Sequence, residues 1–233
     1  MKRAIIGRLP VLDFTGSEAV NTICSNLLFA GRNIKKILVT SFNASEGKSF
    51  VTQQMLWNLA KRGKRTVLVD ADLRRSNLIR DLGFTTDAPI KGLAHYLAGY
   101  GALEETLYET VTPYAVILPM GRIVKSPVSL LSVPQFPELL DTLGEMFDMV
   151  LIDSPPLGAV IDAADIASHC DGAVIVAEYD RTRRQDLLTV RNIIAQTGCP
   201  ILGCVINKLK LESLGAKRYY NYAGYYSETK SES

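Results

Sequence analysis

Ile37-Leu38-Val39-Thr40-Ser41-Phe42-Asn43-Ala44-Ser45-Glu46-Gly47-Lys48-Ser49 runs from an apolar stretch into a Gly-Lys-Ser triplet. From Lys48 to Lys61 the pattern is helical, with Gly63 at its stop. Strand, loop, Gly-Lys-Ser and helix in that order read as a phosphate-binding loop. The residue types answer a physical need. Gly47 lets backbone N–H groups approach phosphate oxygens closely. Lys48 places positive charge on the β and γ phosphates, and Ser49 offers a hydroxyl to Mg²⁺. The helix start adds its own positive partial charge. The usual spacing asks for glycine at position 42, where this chain has Phe42.

Working outward, similar apolar runs recur at Val67-Leu68-Val69, Val116-Ile117-Leu118, Val150-Leu151-Ile152, Val174-Ile175-Val176 and Ile201 to Ile206. Continuous runs of this kind suit strands buried on both faces. Between them, helices are predicted at about 133–146, 163–169 and 181–197, and shorter ones at 92–98 and 103–110. Alternating strand and helix predicts an α/β fold, a mainly parallel sheet flanked by helices. The stretch from Leu73 to Pro127 is the least regular. A domain over 1–218 and a flexible tail over 219–233 are expected, since the end lacks an apolar core pattern.

Two apolar runs end in acid: Val69-Asp70-Ala71-Asp72-Leu73-Arg74 and Ile152-Asp153-Ser154-Pro155-Pro156. Carboxylates at the C-terminal ends of parallel strands sit where such sheets bind ligands. Asp153 has the form of an acid that holds Mg²⁺ directly or through water. Asp70 and Asp72, if extended, point the same way and could share one metal or one substrate proton.

Composition narrows the class. Of 233 residues, 47% are hydrophobic and 21% charged, which excludes disorder as the overall state. The 26 Lys+Arg against 24 Asp+Glu give no whole-protein signal for nucleic acid or an anionic membrane. No apolar run reaches the ~20 residues that cross a bilayer, and Met1 to Leu12 lacks the features of a signal peptide. A cytoplasmic location is expected, with any membrane recruitment left to a partner. Cys24, Cys170, Cys199 and Cys204 match no zinc spacing and read as small buried hydrophobes.

Taken together, Gly47-Lys48-Ser49, Val-Asp-Ala-Asp-Leu-Arg, Leu-Ile-Asp-Ser-Pro-Pro and a tyrosine-rich end resemble the bacterial tyrosine kinases of capsular and exopolysaccharide synthesis, from about Glu18 to Tyr226. The resemblance implies a P-loop NTPase fold of the MinD/ParA-like kind and an ATP- and Mg²⁺-dependent protein-tyrosine kinase. It implies that Ser45, Glu46, Gly47, Lys48, Ser49 and Phe50 cradle ATP. Asp70 would position or deprotonate the attacking tyrosine, while Ser49, Asp72 and Asp153 would manage the Mg²⁺ shell. Asn207 falls where related ATPases contact adenine, and Lys210 breaks a guanine signature, so ATP is preferred over GTP. Tyr219, Tyr220, Tyr222, Tyr225 and Tyr226, half of the ten tyrosines, would accept phosphate, delivered in trans to the tail. Implied partners are a transmembrane polysaccharide co-polymerase that activates the kinase and a cognate tyrosine phosphatase; nucleic acid is not implied.

The pattern breaks in two places. Family members usually carry Glu-x-x-Arg-x-x-Arg before the first strand; here Glu18, Asn21 and Cys24 occupy those positions. A bidentate arginine is not replaced by an amide or a thiol, so weak self-association without the activator is expected. Position 43 is Asn rather than the extra lysine of MinD/ParA-type ATPases. A non-kinase ATPase switch of that type, or a degenerate nucleotide-binding scaffold, are the alternatives; phosphotyrosine mapping would separate them. The arginines at 181, 183, 184 and 191 read as a solvated helix face, with a docking face for an acidic segment as the other reading.

Overall fold

The computed structural model describes residues 1–209 apart from Pro10, Arg32 and Lys125. In chain order the elements are β1 (Lys2–Arg3), β2 (Ile5–Ile6), α1 (Phe14–Phe29), β3 (Lys36–Ser41), α2 (Lys48–Lys61), β4 (Thr66–Asp70), α3 (Leu78–Asp81), β5 (Phe84–Thr85), α4 (Leu93–Leu97), α5 (Leu103–Thr106), β6 (Tyr108–Glu109), β7 (Ala115–Leu118), α6 (Pro127–Leu131), α7 (Gln135–Met146), β8 (Met149–Asp153), α8 (Asp162–Ala167), β9 (Gly172–Glu178), α9 (Arg184–Gln196) and β10 (Ile201–Asn207). Every apolar run named above is a strand. The helix expected over 103–110 stops after one turn, and Tyr108–Glu109 goes instead into the sheet beside β7. Tyr108 is fully buried there, with its ring edge-on to Phe84 and its hydroxyl accepting from Lys91 N–H. That burial outweighs a helical continuation.

Eight strands form one sheet in the order β1-β6-β7-β4-β8-β3-β9-β10. All neighbours are parallel except β6 and β7. Alternation along the strands sorts the side chains onto two faces. Leu38, Val67, Val69, Val150, Ile152 and Ile175 join one core with the apolar faces of α7, α8 and α9. Ile37, Val39, Leu68, Leu151, Val174 and Val176 join the other, against α2. Apolar residues are therefore needed at consecutive strand positions, and this is why the runs are continuous. Helix α2 is buried on most of its circumference, because the sheet lies on one side and α1 on the other.

The cysteines are mixed: Cys24 and Cys199 are buried, Cys170 is half-buried, and Cys204 is exposed on the edge strand β10. The reading of Cys204 as a buried hydrophobe is thus corrected. Among the described residues β10 ends the sheet, and most of its side chains are only partly covered.

Strand order decides the site. β4, β8 and β3 are adjacent, so their C-terminal ends bring Asp70, Asp153 and the Gly-Lys-Ser loop side by side.

Candidate active site

The loop between β3 and α2 is tightly turned. Ser45 and Gly47 have φ of 66° and 95°, in the left-handed region. Gly47 is required twice over: by that backbone conformation, and because a Cβ there would lie 2.0 Å from Asn207 Nδ2. Phe42, where glycine is usual, is half-buried and packs against the core. Its carbonyl accepts from Gly158 N–H at 2.9 Å, and Leu157 N–H donates to Ser41 O at 2.8 Å. The Pro155–Gly158 turn therefore holds the start of the loop, and Gly158 makes room for Phe42. A Cβ on Gly158 would meet the Phe42 carbonyl at 2.5 Å. At the other end, Lys48 opens α2, whose first N–H groups face out of the loop as an anion site.

Three buried carboxylates adjoin this loop: Asp70, Asp72 and Asp153. Asp70 and Asp153 are directly paired in register at the ends of β4 and β8. Burial, and then the neighbouring Asp153, pushes Asp70 up to about 7, against the Ser76 hydroxyl and Met120 N–H that donate to it. Burial likewise pushes Asp153 up to about 6, opposed by the Lys48 ammonium and a hydrogen bond from Ser49. Lys48 Nζ lies 3.5 Å from Asp72 Oδ2, both side chains being largely covered. Asp72 is not an extended neighbour of Asp70. It lies in the turn beyond β4, where its other oxygen accepts from Arg74 and Arg75 N–H at 3.3 and 3.0 Å. Asp70 faces elsewhere, onto Ser76 Oγ at 2.5 Å and Met120 N at 3.2 Å. The two carboxylates thus take separate partners instead of sharing one.

One oxygen each of Asp70 and Asp153 is buried with no hydrogen-bond partner. Buried acceptors left open are costly. The open Asp153 oxygen and the Ser49 hydroxyl, with Asp72 beside Lys48, form a hard, all-oxygen donor set of the kind that Mg²⁺ takes, one or two carboxylates being completed by substrate phosphates, and the open Asp70 oxygen is left for another role. The residues present fit that ion.

Several residues of the site were not read from the sequence. Asp162, at the start of α8, is buried and accepts two hydrogen bonds from Arg74, at 2.8 and 3.1 Å. That bidentate pair ties the Asp72 turn to α8. Arg74 within Asp-Ala-Asp-Leu-Arg was the available signal, but its partner lies 88 residues away. Ser76 and Thr182 had no signal of their own. Lys208 reaches back to Ser45 O at 2.7 Å and Glu178 Oε2 at 3.0 Å.

With this geometry in hand, comparison with known proteins is direct. The AAA domain family model matches residues 34–196. The tyrosine-protein kinase CpsD of Streptococcus agalactiae is 35% identical over 208 residues, covering 89% of each chain. This chain belongs to the bacterial tyrosine kinases. It is an enzyme, a protein-tyrosine kinase with a nucleotide-binding fold. The kinase domain of the Escherichia coli tyrosine kinase ETK superposes with a TM-score of 0.75 at 26% identity, covering 83% of this chain and 77% of that one. The septum site-determining protein MinD of Pyrococcus horikoshii, complexed with Mg-ADP, shares the fold with a TM-score of 0.64 at 28% identity, over 74% and 70% of the two chains. The doubly flanked parallel sheet is therefore that of the MinD-like P-loop ATPases.

In this bacterial tyrosine kinase, Asn43 is consumed inside the loop: its N–H and Nδ2 both donate to Glu46, each at 3.0 Å. Asn207 Nδ2 donates to Glu46 O at 2.9 Å, so its amide is pinned to the phosphate loop. Phe50 lies in the first turn of α2 and is exposed. The α1 positions that differ from the kinase pattern turn inward. Cys24 is fully buried against α2, and Asn21 accepts from Asn58 Nδ2 at 2.6 Å and from Arg62. Of the three positions, Glu18 is exposed, Asn21 half-buried and Cys24 buried. The five tail tyrosines, and the boundary expected at 218, lie outside the described residues.

Proposed function

We propose that this kinase transfers the γ-phosphoryl group of Mg·ATP to tyrosines 219, 220, 222, 225 and 226 of a second copy's tail, and thereby regulates capsular or exopolysaccharide synthesis. The observation that carries the proposal is the pairing of Asp70 with Asp153 beside Lys48 and Ser49 at the open end of the sheet. Lys48 and the α2 amides bind the phosphates. Ser49 and Asp153, with Asp72 at the edge of the shell, are the residues that would hold Mg²⁺. When bound, that ion neutralises charge on the phosphate oxygens.

Asp70 has one oxygen without a hydrogen-bond partner. Held up to about 7, its carboxyl is matched to a proton acceptor working near neutral pH. The tyrosine oxygen forms a bond to the γ-phosphorus and the bond to the β–γ bridging oxygen breaks. ADP leaves, and the phenolic proton passes to Asp70. The protein's share is positioning and charge stabilisation, as in other phosphoryl transfers.

No described helix is long and apolar enough to cross a membrane. The activator in this reading is a separate transmembrane co-polymerase that brings the kinase to the inner face of the membrane, and a tyrosine phosphatase resets the tail. Self-association without the activator is weak in this reading. Incubation with Mg·ATP and the activator's cytoplasmic segment, followed by phosphotyrosine mapping, tests it. Phosphate on the tail tyrosines is expected; ATP turnover without any phosphotyrosine would reject it in favour of an ATPase switch.

A further inference from the structure

Glu46 is fully buried within the phosphate loop. Its carboxylate accepts three hydrogen bonds: from Asn43 N–H and Asn43 Nδ2, each at 3.0 Å, and from the Thr182 hydroxyl. Two of these donors belong to the loop itself. Thr182 comes from outside, 136 residues along the chain, in the connection between β9 and α9. Its hydroxyl is fixed on both sides, because the same oxygen accepts from Glu178 N–H at 2.8 Å. A hydroxyl carries one proton, and here it is given to Glu46.

Burial makes this contact consequential. A buried carboxylate that loses a donor must move toward water or bear the desolvation penalty. Glu46 cannot move alone. Its Asn43 contacts close the loop into a small ring, its carbonyl is held by Asn207, and the preceding carbonyl is held by Lys208. Displacement of the side chain therefore displaces the loop backbone between Asn43 and Gly47, the segment that the ATP reading assigns to the phosphates.

We propose that Thr182 is a positioning residue for nucleotide binding: through Glu46 it holds the phosphate loop in the shape that receives Mg·ATP. This rests on the reading that the loop binds Mg·ATP, and neither the glycine-lysine-serine motif nor the acidic strand ends point to Thr182.

The test measures affinity for a fluorescent ATP analogue with Mg²⁺ on the full chain, for wild type, Lys48→Met, Thr182→Val and Thr182→Ser. Valine keeps the branched shape and removes the hydroxyl; serine keeps the hydroxyl. Thr182→Val is expected to bind roughly tenfold more weakly and Thr182→Ser within about twofold of wild type. The KM for ATP should rise with it, while the KM for a tyrosine acceptor peptide stays constant. Glu46→Gln, which sets an NH₂ group against the Asn43 donors, should reproduce the loss and serves if valine prevents folding. Wild-type affinity in folded Thr182→Val, absence of rescue by serine, or loss of fold in both Thr182→Val and Glu46→Gln overturns the proposal and leaves the ATP reading standing. Failure of wild type to bind, or undiminished binding by Lys48→Met, overturns the ATP reading and this proposal with it.

Discussion

Asp70→Asn should make the nucleotide-free protein more stable while abolishing tyrosine phosphorylation. Asp70 and Asp153 are paired in register and both buried, and Asp70 is raised from 3.8 to about 7. The folded chain therefore holds this proton more tightly than the unfolded chain. Between about pH 4 and pH 7 the native state binds more protons than the unfolded state, so stability falls as pH rises through that window and levels off above it. The ceiling on the cost at pH 8 is about 4 kcal/mol, from roughly three pKa units at 1.36 kcal/mol each. Asparagine removes the charge and keeps the shape. Its carbonyl can accept from Ser76 and Met120 as the carboxylate does, and its NH₂ group can turn to the open oxygen of Asp153. A gain of about 1–3 kcal/mol at pH 8 is expected, or roughly 2–4 °C in Tm per kcal/mol for a chain of this size. The assay is thermal and urea unfolding of wild type and Asp70→Asn at pH 5, 6, 7 and 8 without nucleotide. Their difference cancels the titration of groups common to both. The advantage of Asp70→Asn should grow from pH 5 to pH 7 and then stay flat. A variant that is less stable than wild type at pH 8, or a difference that does not vary with pH, would refute the reasoning.

Lys48→Met should abolish ATP turnover and also lower stability, since it leaves the largely covered Asp72 without its ion-pair partner; unchanged turnover in the folded variant would remove the phosphate-loop assignment. Arg74→Ala leaves the buried Asp162 without its two donors and should cost about 2–4 kcal/mol, with Arg74→Lys recovering only part because lysine cannot bind both oxygens; urea midpoints give the comparison. Replacing the five tail tyrosines by phenylalanine should eliminate self-phosphorylation, read by mass spectrometry, and leave nucleotide affinity intact; retained phosphotyrosine would move the acceptor elsewhere in the chain.

Much of this protein was legible from local sequence. The apolar runs at 37–39, 67–69, 116–118, 150–152, 174–176 and 201–206 are all strands, and the helix from Lys48 to Lys61 has the predicted bounds. A strand covered on both faces must be apolar at consecutive positions, and a phosphate loop must join strand to helix through glycine; both requirements act within a few residues and are written there. The acids that end two of those runs followed from the same local grammar. What local sequence does not carry is which strand lies beside which. The order β4-β8-β3 places Asp70 opposite Asp153 and leaves an oxygen of each without a partner. Chain packing over 88 and 136 residues gives Arg74 its Asp162 and Glu46 its Thr182. It also draws Tyr108 from a helical stretch into the sheet. Each of these outcomes is a long-range contact selected by burial. Its energy depends on what the rest of the chain brings to the same place, and no window of neighbouring residues contains that.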